Sequence, residues 1–408
     1  MATVVLLGTM DTKGTEFDYV RQRVAAFGCD VILIDAGVMG MPLATADIPR
    51  EQVAEAAGTT HAALVEAADR GAAIETMAQG ATKVVLGLFE QGKVQGVMGV
   101  GGSSNSALAT RAMQALPVGV PKLMVSTMAA GDTRPYVGAV DVTMMYSVVD
   151  IAGINRISER ILTNAAAAIA GMAKAYAETA LTAESKPLIG ATMFGVTTPC
   201  VNAAREHLEA VGYEVLVFHA TGTGGKSMEA LATGGFLAGV LDATTTELAD
   251  ELVGGVLSAG PDRLEAAGKM KLPQVVSLGA LDMVNFGAFD TVPPQFANRN
   301  LYKHNPTITL MRTTIEENAE LGRIIARKLN QADGGVALFI PLKGVSLIAT
   351  EGKPFYDPEA DQALIDNLMA NIDTSKVEVH QFEMDINDPR FAEAMATRLH
   401  ELIRAGGK

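Results

Sequence analysis

The sequence predicts an α/β protein made of two Rossmann-like, doubly wound parallel-sheet subdomains with a ligand cleft between them. Three observations carry that prediction. The chain opens on a strand, loop, helix, strand run; a similar run starts again near residue 188; and Gly-, Ser- and Thr-rich loops follow strands in both places. Short joints between continuous apolar runs make βαβ units, whose strands are parallel and covered on both faces.

In the first half, Thr3 to Leu7 reads as a strand and Gly8-Thr9-Met10-Asp11-Thr12-Lys13-Gly14-Thr15-Glu16 as a polar loop. A helical period then runs through Phe17, Val20, Val24 and Phe27, Gly28 closes it, and Val31 to Asp35 is the second strand. Glu51 to Gln79 carries Ala-rich helical periodicity. Val94 to Val100 reads as a strand, Gly101 to Ser106 as a loop, Ala107 to Leu116 as a helix and Lys122 to Ser126 as the next strand. A long Ala-rich helix from about Ile154 runs out before Pro187. The joint falls within Ala175 to Lys186, dividing the chain into residues 1–180 and 187–408. It is not a Gly/Ser linker, so the halves are expected to be docked.

The second half echoes the first. Leu188-Ile189-Gly190-Ala191-Thr192 repeats the flavour of Leu6-Leu7-Gly8-Thr9, and the 22 residues from Gly190 to Gly212 compare with 20 from Gly8 to Gly28. Ala238 to Asp242 precedes a Thr-rich loop much as Gln95 to Val100 precedes its Ser-rich one, and Pro273 to Ser277 matches Pro121 to Ser126. After Pro306 come a strand at Thr307 to Met311, a helix to about Asn330, a strand at Val336 to Pro341 and a helix from about Pro358. Lys376 to Phe382 and Pro389 to Ala405 close the chain as strand and helix, enough for a sheet of five or more strands.

Composition removes several function classes. With 32 Lys plus Arg against 46 Asp plus Glu, the net charge is −14, so no basic field exists to recruit nucleic acid. No apolar run reaches the roughly 20 residues of a membrane span, and Met1 leads into a strand without a basic leader, so a cytoplasmic location without membrane partners is expected. Two distant cysteines, Cys29 and Cys200, make no disulfide framework. Six histidines without paired spacing make no dedicated transition-metal site.

Open parallel sheets bind ligands beyond the carboxyl ends of their strands. The first candidate there is Gly8, Thr9, Asp11, Thr12, Lys13 and Gly14, which offer amides, hydroxyls, a cation and, on Asp11, a carboxylate for phosphates and magnesium. An ordinary βα turn is the competing reading. The second is Gly101, Gly102, Ser103, Ser104 and Asn105, where glycines let a ligand approach the backbone. In the second half, His219, Thr221, Gly222, Gly224, Gly225 and Lys226 form a second anion or substrate site. Their Gly-Lys-Ser ending is a near miss to a phosphate loop, since Ala220 stands where the first glycine belongs, and Asp242 is the matching magnesium-side carboxylate. His304 and Asn305 sit in a polar turn where a proton donor could meet a ligand; a structural role is the competing reading. Cys200 begins a helix, whose dipole would lower its pKa, but no partner is assignable and it reads as an unreactive small residue. Ser346 lacks the flanking pattern of a hydrolase nucleophile.

These and neighbouring phrases resemble a mostly uncharacterised bacterial and plant family that shares the ATP-binding N-terminal domain of the tomato mosaic virus resistance protein. The resemblance rests on Gly8 to Gly14, Leu116 to Lys122, Val125 to Ala129, Asp150 to Arg156, Thr192 to Pro199, Phe218 to Gly225 and His304-Asn305-Pro306, and covers nearly the whole chain. It implies ATP with Mg2+ in the first subdomain and a homodimer, with no established reaction. Longer members carry a phosphoenolpyruvate-mutase-like barrel downstream, so a barrel enzyme of that kind is a partner the resemblance allows. Two functional readings follow: an ATP-dependent enzyme acting on a small anionic metabolite, and a non-catalytic module whose shape the nucleotide stabilises.

Overall fold

The computed structural model describes residues 1–179 and 186–406. The chain forms two compact units, Met1–Ala183 and Glu184–Lys408. Of the expected joint, residues 180–185 lie outside the described residues.

In the first unit five strands pair in parallel: β1 (Thr3–Gly8), β2 (Asp30–Asp35), β3 (Gly96–Gly101), β4 (Lys122–Ser126) and β5 (Thr143–Tyr146), in the order β2-β1-β3-β4-β5. β1, β3 and β4 are buried along almost their whole length, which is why they read as unbroken apolar runs. The direction of strand progression reverses between β1 and β3, and such switch points open a crevice at the carboxyl ends. Helices Met10–Ala26 and Arg156–Glu178 pack Phe17, Val20, Leu162 and Ile169 on one face of the sheet. Helices Arg70–Glu90 and Ser103–Ala115 contribute Met77, Val85, Leu108 and Met113 to a second core built with Val5, Leu7 and Met124. The segment 51–79, whose Ala-rich periodicity suggests one helical stretch, is divided among helices Arg50–Ala56, His61–Ala67 and Arg70–Glu90. Asp69 and Thr60 cap two of the new starts, accepting from Ala72 N and Ala63 N.

The second unit repeats the strand order and extends it. β6 (Leu188–Met193), β7 (Glu214–His219), β8 (Leu237–Thr244), β9 (Gln274–Gly279), β13 (Val336–Pro341) and β14 (Val377–Phe382) form a parallel sheet ordered β7-β6-β8-β9-β13-β14. Its switch point lies between β6 and β8. The strand expected at 307–311 departs from the parallel-sheet reading. As β12 (Ile308–Arg312) it pairs antiparallel with β10 (Met283–Phe286) and β11 (Leu301–Asn305) in a separate three-stranded sheet. The cause is the two-residue connection from β11 to β12, which can join only antiparallel neighbours. No helix among the described residues is long and apolar enough to cross a membrane.

Candidate functional site

The β1/β3 crevice holds a cavity of about 70 Å3. Its polar wall is Thr9, Asp11, Thr12, Arg70, Ser104 and Asn105, and its apolar wall is Ala36, Val38, Met39, Ala73, Ile74 and Leu108. The helix starts after β1 and β3, Met10–Ala26 and Ser103–Ala115, therefore meet at one place, where the sequence predicts loops over Gly8 to Glu16 and Gly101 to Ser106. Ser103–Ala115 starts on Gly102, and no side chain caps it, so its first-turn amides are free for an anion. Asn105 is buried and donates from Nδ2 to Val100 O at 2.6 Å, leaving Oδ1 buried and unpartnered. Asp11 Oδ2 accepts Met39 N (2.8 Å) and Gly40 N (3.2 Å), holding loop 37–46 against the helix, and its Oδ1 is likewise buried and unpartnered. Two orphaned acceptors on residues of one cavity call for a cation or an N–H donor.

Several predicted residues have other duties. The Lys13 ammonium donates to the carbonyl of Ile151 and does not line the cavity, which corrects its assignment to the phosphates. Lys13 also sits at a kink, φ −130° and ψ 15°, inside the first helix. Gly8 is required by the Phe17 ring, on which an added Cβ would fall. A Cβ at Gly14 would meet Ala44 N at 2.8 Å, and one at Gly101 would meet Asn105 Cβ at 2.6 Å. These three glycines serve close internal packing, and for Gly101 the expectation that it lets a ligand approach the backbone gives way to a packing role. At Gly102 the nearest atom would be Thr127 Oγ1 at 3.6 Å, so that position alone of the four has room for a side chain. Thr9 and Thr12 share a hydroxyl hydrogen bond of 2.7 Å at the cavity edge. The cation at the cavity is Arg70, exposed and with no hydrogen bond or ion pair to the described residues. Sequence reasoning missed it because it lies inside the Ala-rich helical stretch. Its position just after Asp69, an N-cap residue, was the available signal.

The second-half site is already filled by the protein. Gly222 N and Gly225 N both donate to Glu247 Oε1, at 2.7 and 3.0 Å, so an internal carboxylate takes the place proposed for an outside anion. A Cβ at Gly225 would fall on that carboxylate. Gly224 passes so close to the His219 carbonyl that a Cβ would collide with it. Asp242, read as a magnesium-side carboxylate, is buried in a bidentate pair with Arg263, Nη1 to Oδ2 at 2.5 Å and Nη2 to Oδ1 at 2.6 Å. Arg263 Nε donates to Glu247 Oε2 at 2.7 Å, and Nη1 lies 3.4 Å from Glu229 Oε1. Burial would pull this guanidinium down, but Asp242, Glu247 and Glu229 hold it well above its ordinary value. Thr192, Thr197 and Thr244 complete the network with buried hydroxyl bonds, Thr192 to Asp242 and Thr197 to Thr244 each at 2.7 Å. Lys226, Thr221 and His219 stand outside it: Lys226 and His219 are exposed, Thr221 Oγ1 bonds the His219 carbonyl, and the His219 ring lies 5.3 Å from that of Phe194.

The remaining candidates are structural. His304 is exposed on β11, and Asn305 Oδ1 accepts Thr307 N, shaping the hairpin turn. Burial, aided by Asp385, pushes the Cys200 thiol up to about 12, against the lowering expected from its helix start. Ser346 Oγ donates to buried Asp282.

Comparison with known proteins follows the same division of the chain. The N-terminal domain model of the uncharacterised protein family UPF0261 matches residues 2–178, and the C-terminal domain model of that family matches residues 186–403. A UPF0261 protein of Clostridium tetani is 54% identical over 400 residues, covering 98% of each chain. UPF0261 protein RA0729 of Rhizobium meliloti is 47% identical over 403 residues, covering 98% of this chain and 99% of that one. The ToMV resistance protein Tm-1(GCR237) of Solanum lycopersicum is 40% identical over 419 residues, covering 98% of this chain and 55% of the tomato protein.

Proposed function

The chain belongs to the UPF0261 family, and from that premise we propose that its first unit binds ATP with magnesium at the β1/β3 crevice. One observation carries the reading: an uncapped helix N-terminus, an unpaired arginine and two orphaned acceptors border a single cavity at the switch point. The free amides of Ser103–Ala115 and the Arg70 guanidinium suit phosphates. Asp11 Oδ1 suits magnesium, which needs only one or two carboxylates when phosphates and water supply its other oxygens. At about 70 Å3 the cavity is well below the roughly 300 Å3 at which pockets enclose a whole ligand. It takes one end of the nucleotide, and the rest lies over exposed Ser103, Ser104 and Arg70.

Ligand at ~100 times its dissociation constant stabilises the folded state by roughly 2.7 kcal/mol, which at roughly 2–4 °C per kcal/mol for a unit of this size moves Tm by roughly 5–11 °C. Magnesium with ATP should produce such a rise. Gly102→Val, which the fold accommodates but which crowds the helix N-terminus, and Arg70→Ala should each remove most of it, whereas Lys13→Ala should not. A calorimetric titration without heat for the wild type would sink the proposal.

A second reading is favoured by the latch at Asp11. Loop 37–46, held by that carboxylate, exposes Met39, Met41 and Leu43 at 72%, 80% and 63%, an apolar surface whose shape a nucleotide at Asp11 would set. In that case the protein is a binding module, and a phosphoenolpyruvate-mutase-like barrel enzyme is the first partner to try. Mass spectrometry of ATP and a metabolite extract separates the readings, since an enzyme consumes ATP and a module only binds it. A homodimer and a cytoplasmic location belong to either reading and are checked by light scattering and fractionation.

A further inference from the structure

Loop 37–46 gives Val38 and Met39 to the switch-point cavity and residues 42–46 to a second cleft of about 640 Å3. At this cleft stand Asp18, Asp35, Glu51 and Arg50. Asp35, the last residue of β2, is only 2% exposed. Its Oδ1 accepts Met10 N at 2.9 Å and Gly37 N at 2.8 Å, fixing the turns after β1 and β2, while Oδ2 has no hydrogen-bond partner among the described residues. The structural duty uses one oxygen, and an asparagine would supply it without the cost of burying a charge. A carboxylate at this position is therefore suited to a donor arriving from outside the chain.

The surroundings select that donor's charge. The cleft counts three carboxylates against one arginine, and that arginine is engaged, donating to the Gly40 carbonyl and lying 3.4 Å from Glu51 Oε1. Its volume falls within the roughly 300–1,000 Å3 of small-molecule sites. We propose that this cleft binds the ammonium or guanidinium group of a small organic cation, with Asp35 Oδ2 as the acceptor. The site stands apart from the nucleotide reading, and neither needs the other to be correct. Burial pushes the Asp35 carboxyl above the usual carboxylate range, with Asp11 adding to the rise, and a cation at Oδ2 relieves both effects.

Calorimetry and ligand-observed NMR on the full chain without nucleotide test the assignment, with putrescine and agmatine as probes and 1,4-butanediol and succinate as controls. Either amine should bind at concentrations up to about 10 mM, and neither control should. Asp35→Asn, which keeps the acceptor for Met10 and Gly37, should weaken the amine at least about tenfold, the scale of a charged hydrogen bond. Glu51→Gln should weaken it about two- to threefold, as for an exposed charge. Failure of both amines to bind, equal binding of the diol, or undiminished binding to Asp35→Asn would overturn the proposal. Should Asp35→Asn not fold, the double variant Asp18→Asn with Glu51→Gln decides: affinity lowered about fivefold supports the site, and unchanged affinity overturns it.

Discussion

At the β1/β3 crevice the turn from β3 into the next helix, Gly101-Gly102-Ser103-Ser104-Asn105, leaves the helix start uncapped beside a cavity. At the β6/β8 crevice the corresponding turn from the end of β8 into the helix Glu247–Val253 is Thr244-Thr245-Thr246-Glu247, every residue of it buried. The strand order is the same, yet one crevice leaves donors and acceptors unpartnered among the described residues and the other pairs them internally. Glu247 occupies the amides of Gly222 and Gly225, and Arg263 neutralises Glu247 and Asp242. A Gly-rich turn thus signals that an acceptor approaches the backbone closely; it does not say whether that acceptor is a ligand or a side chain of the same fold.

The comparison breaks most visibly at Arg263. Replacing it with Leu leaves Asp242, Glu247 and Glu229 together without their cation, and removing one partner of a buried ionic cluster costs about 3–5 kcal/mol. Urea unfolding should register that loss in the second unit, with nucleotide binding to any folded protein unchanged. A loss below about 1 kcal/mol would mean that the network is not what closes the β6/β8 crevice.

Glu247→Ala sharpens the same point. It frees the two glycine amides and takes the partner from Arg263 Nε, although the bidentate pair with Asp242 remains, at a cost of about 3 kcal/mol, the lower end for breaking a buried ion pair. It should also convert the second crevice toward the first: inorganic phosphate should raise the Tm of this variant more than that of the wild type. Equal shifts in the two proteins would show that the freed amides do not make an anion site.

Acidity offers a smaller contrast. Burial pushes Asp250 up to about 7 and Asp282 up to about 6 in the second unit. Below the ordinary carboxylate value both are neutral whether folded or unfolded. As pH rises from about 4 to about 7 the unfolded chain ionises at Asp250 while the folded chain keeps the proton, so stability falls across that window and levels off above it. Asp250→Asn should flatten part of this decline in the urea midpoint measured against pH. A decline as steep as in the wild type would show that Asp250 does not hold its proton in the folded state.

How much of this was legible in sequence depends on range. Both βαβ series and the parallel sheets follow from local patterns of apolar runs and small residues, but the polar stretches expected as loops over Gly8 to Glu16 and Gly101 to Ser106 are mostly the first turns of helices Met10–Ala26 and Ser103–Ala115, because small polar residues suit a helix start as well as a loop. Several phrases that carry the family resemblance prove to be scaffolding. Lys122 is buried, with Nζ on the carbonyls of Pro117 and Val120 and on Asp141, so Leu116 to Lys122 is a self-bonded corner. Asn155 caps the helix Arg156–Glu178 through Ile157 N and Ser158 N. What stayed hidden is long-range. Arg70 reaches the cavity from a helix start 31 residues before Gly101, and Glu247 reaches the Gly222 turn from 25 residues away. No local spacing encodes either approach. The antiparallel β10-β12-β11 sheet hides for a related reason: the short buried strands β10 and β12 have the same apolar run in either direction, and the mostly exposed β11, Leu301-Tyr302-Lys303-His304-Asn305, has no apolar run at all.

The smallest expected effect is at Lys226, and it tests the comparison from the side of charge. If the Gly222 turn were an anion site like the β1/β3 crevice, its lysine would be held near the amides and would matter for a phosphate ligand. Instead the amides face Glu247 and Lys226 is exposed to solvent. Lys226→Ala should therefore change stability by no more than about 0.5 kcal/mol, as for surface positions free of special contacts, and leave the magnesium and ATP shift in Tm intact. Arg70→Ala, also at an exposed position, should remove most of that shift because its neighbours are free amides and not an internal carboxylate. The two variants each remove one exposed cation, and they differ most in what surrounds it. Equal responses to phosphate or nucleotide in the two variants would mean that exposed charge, rather than the open crevice beside it, governs anion binding in this protein.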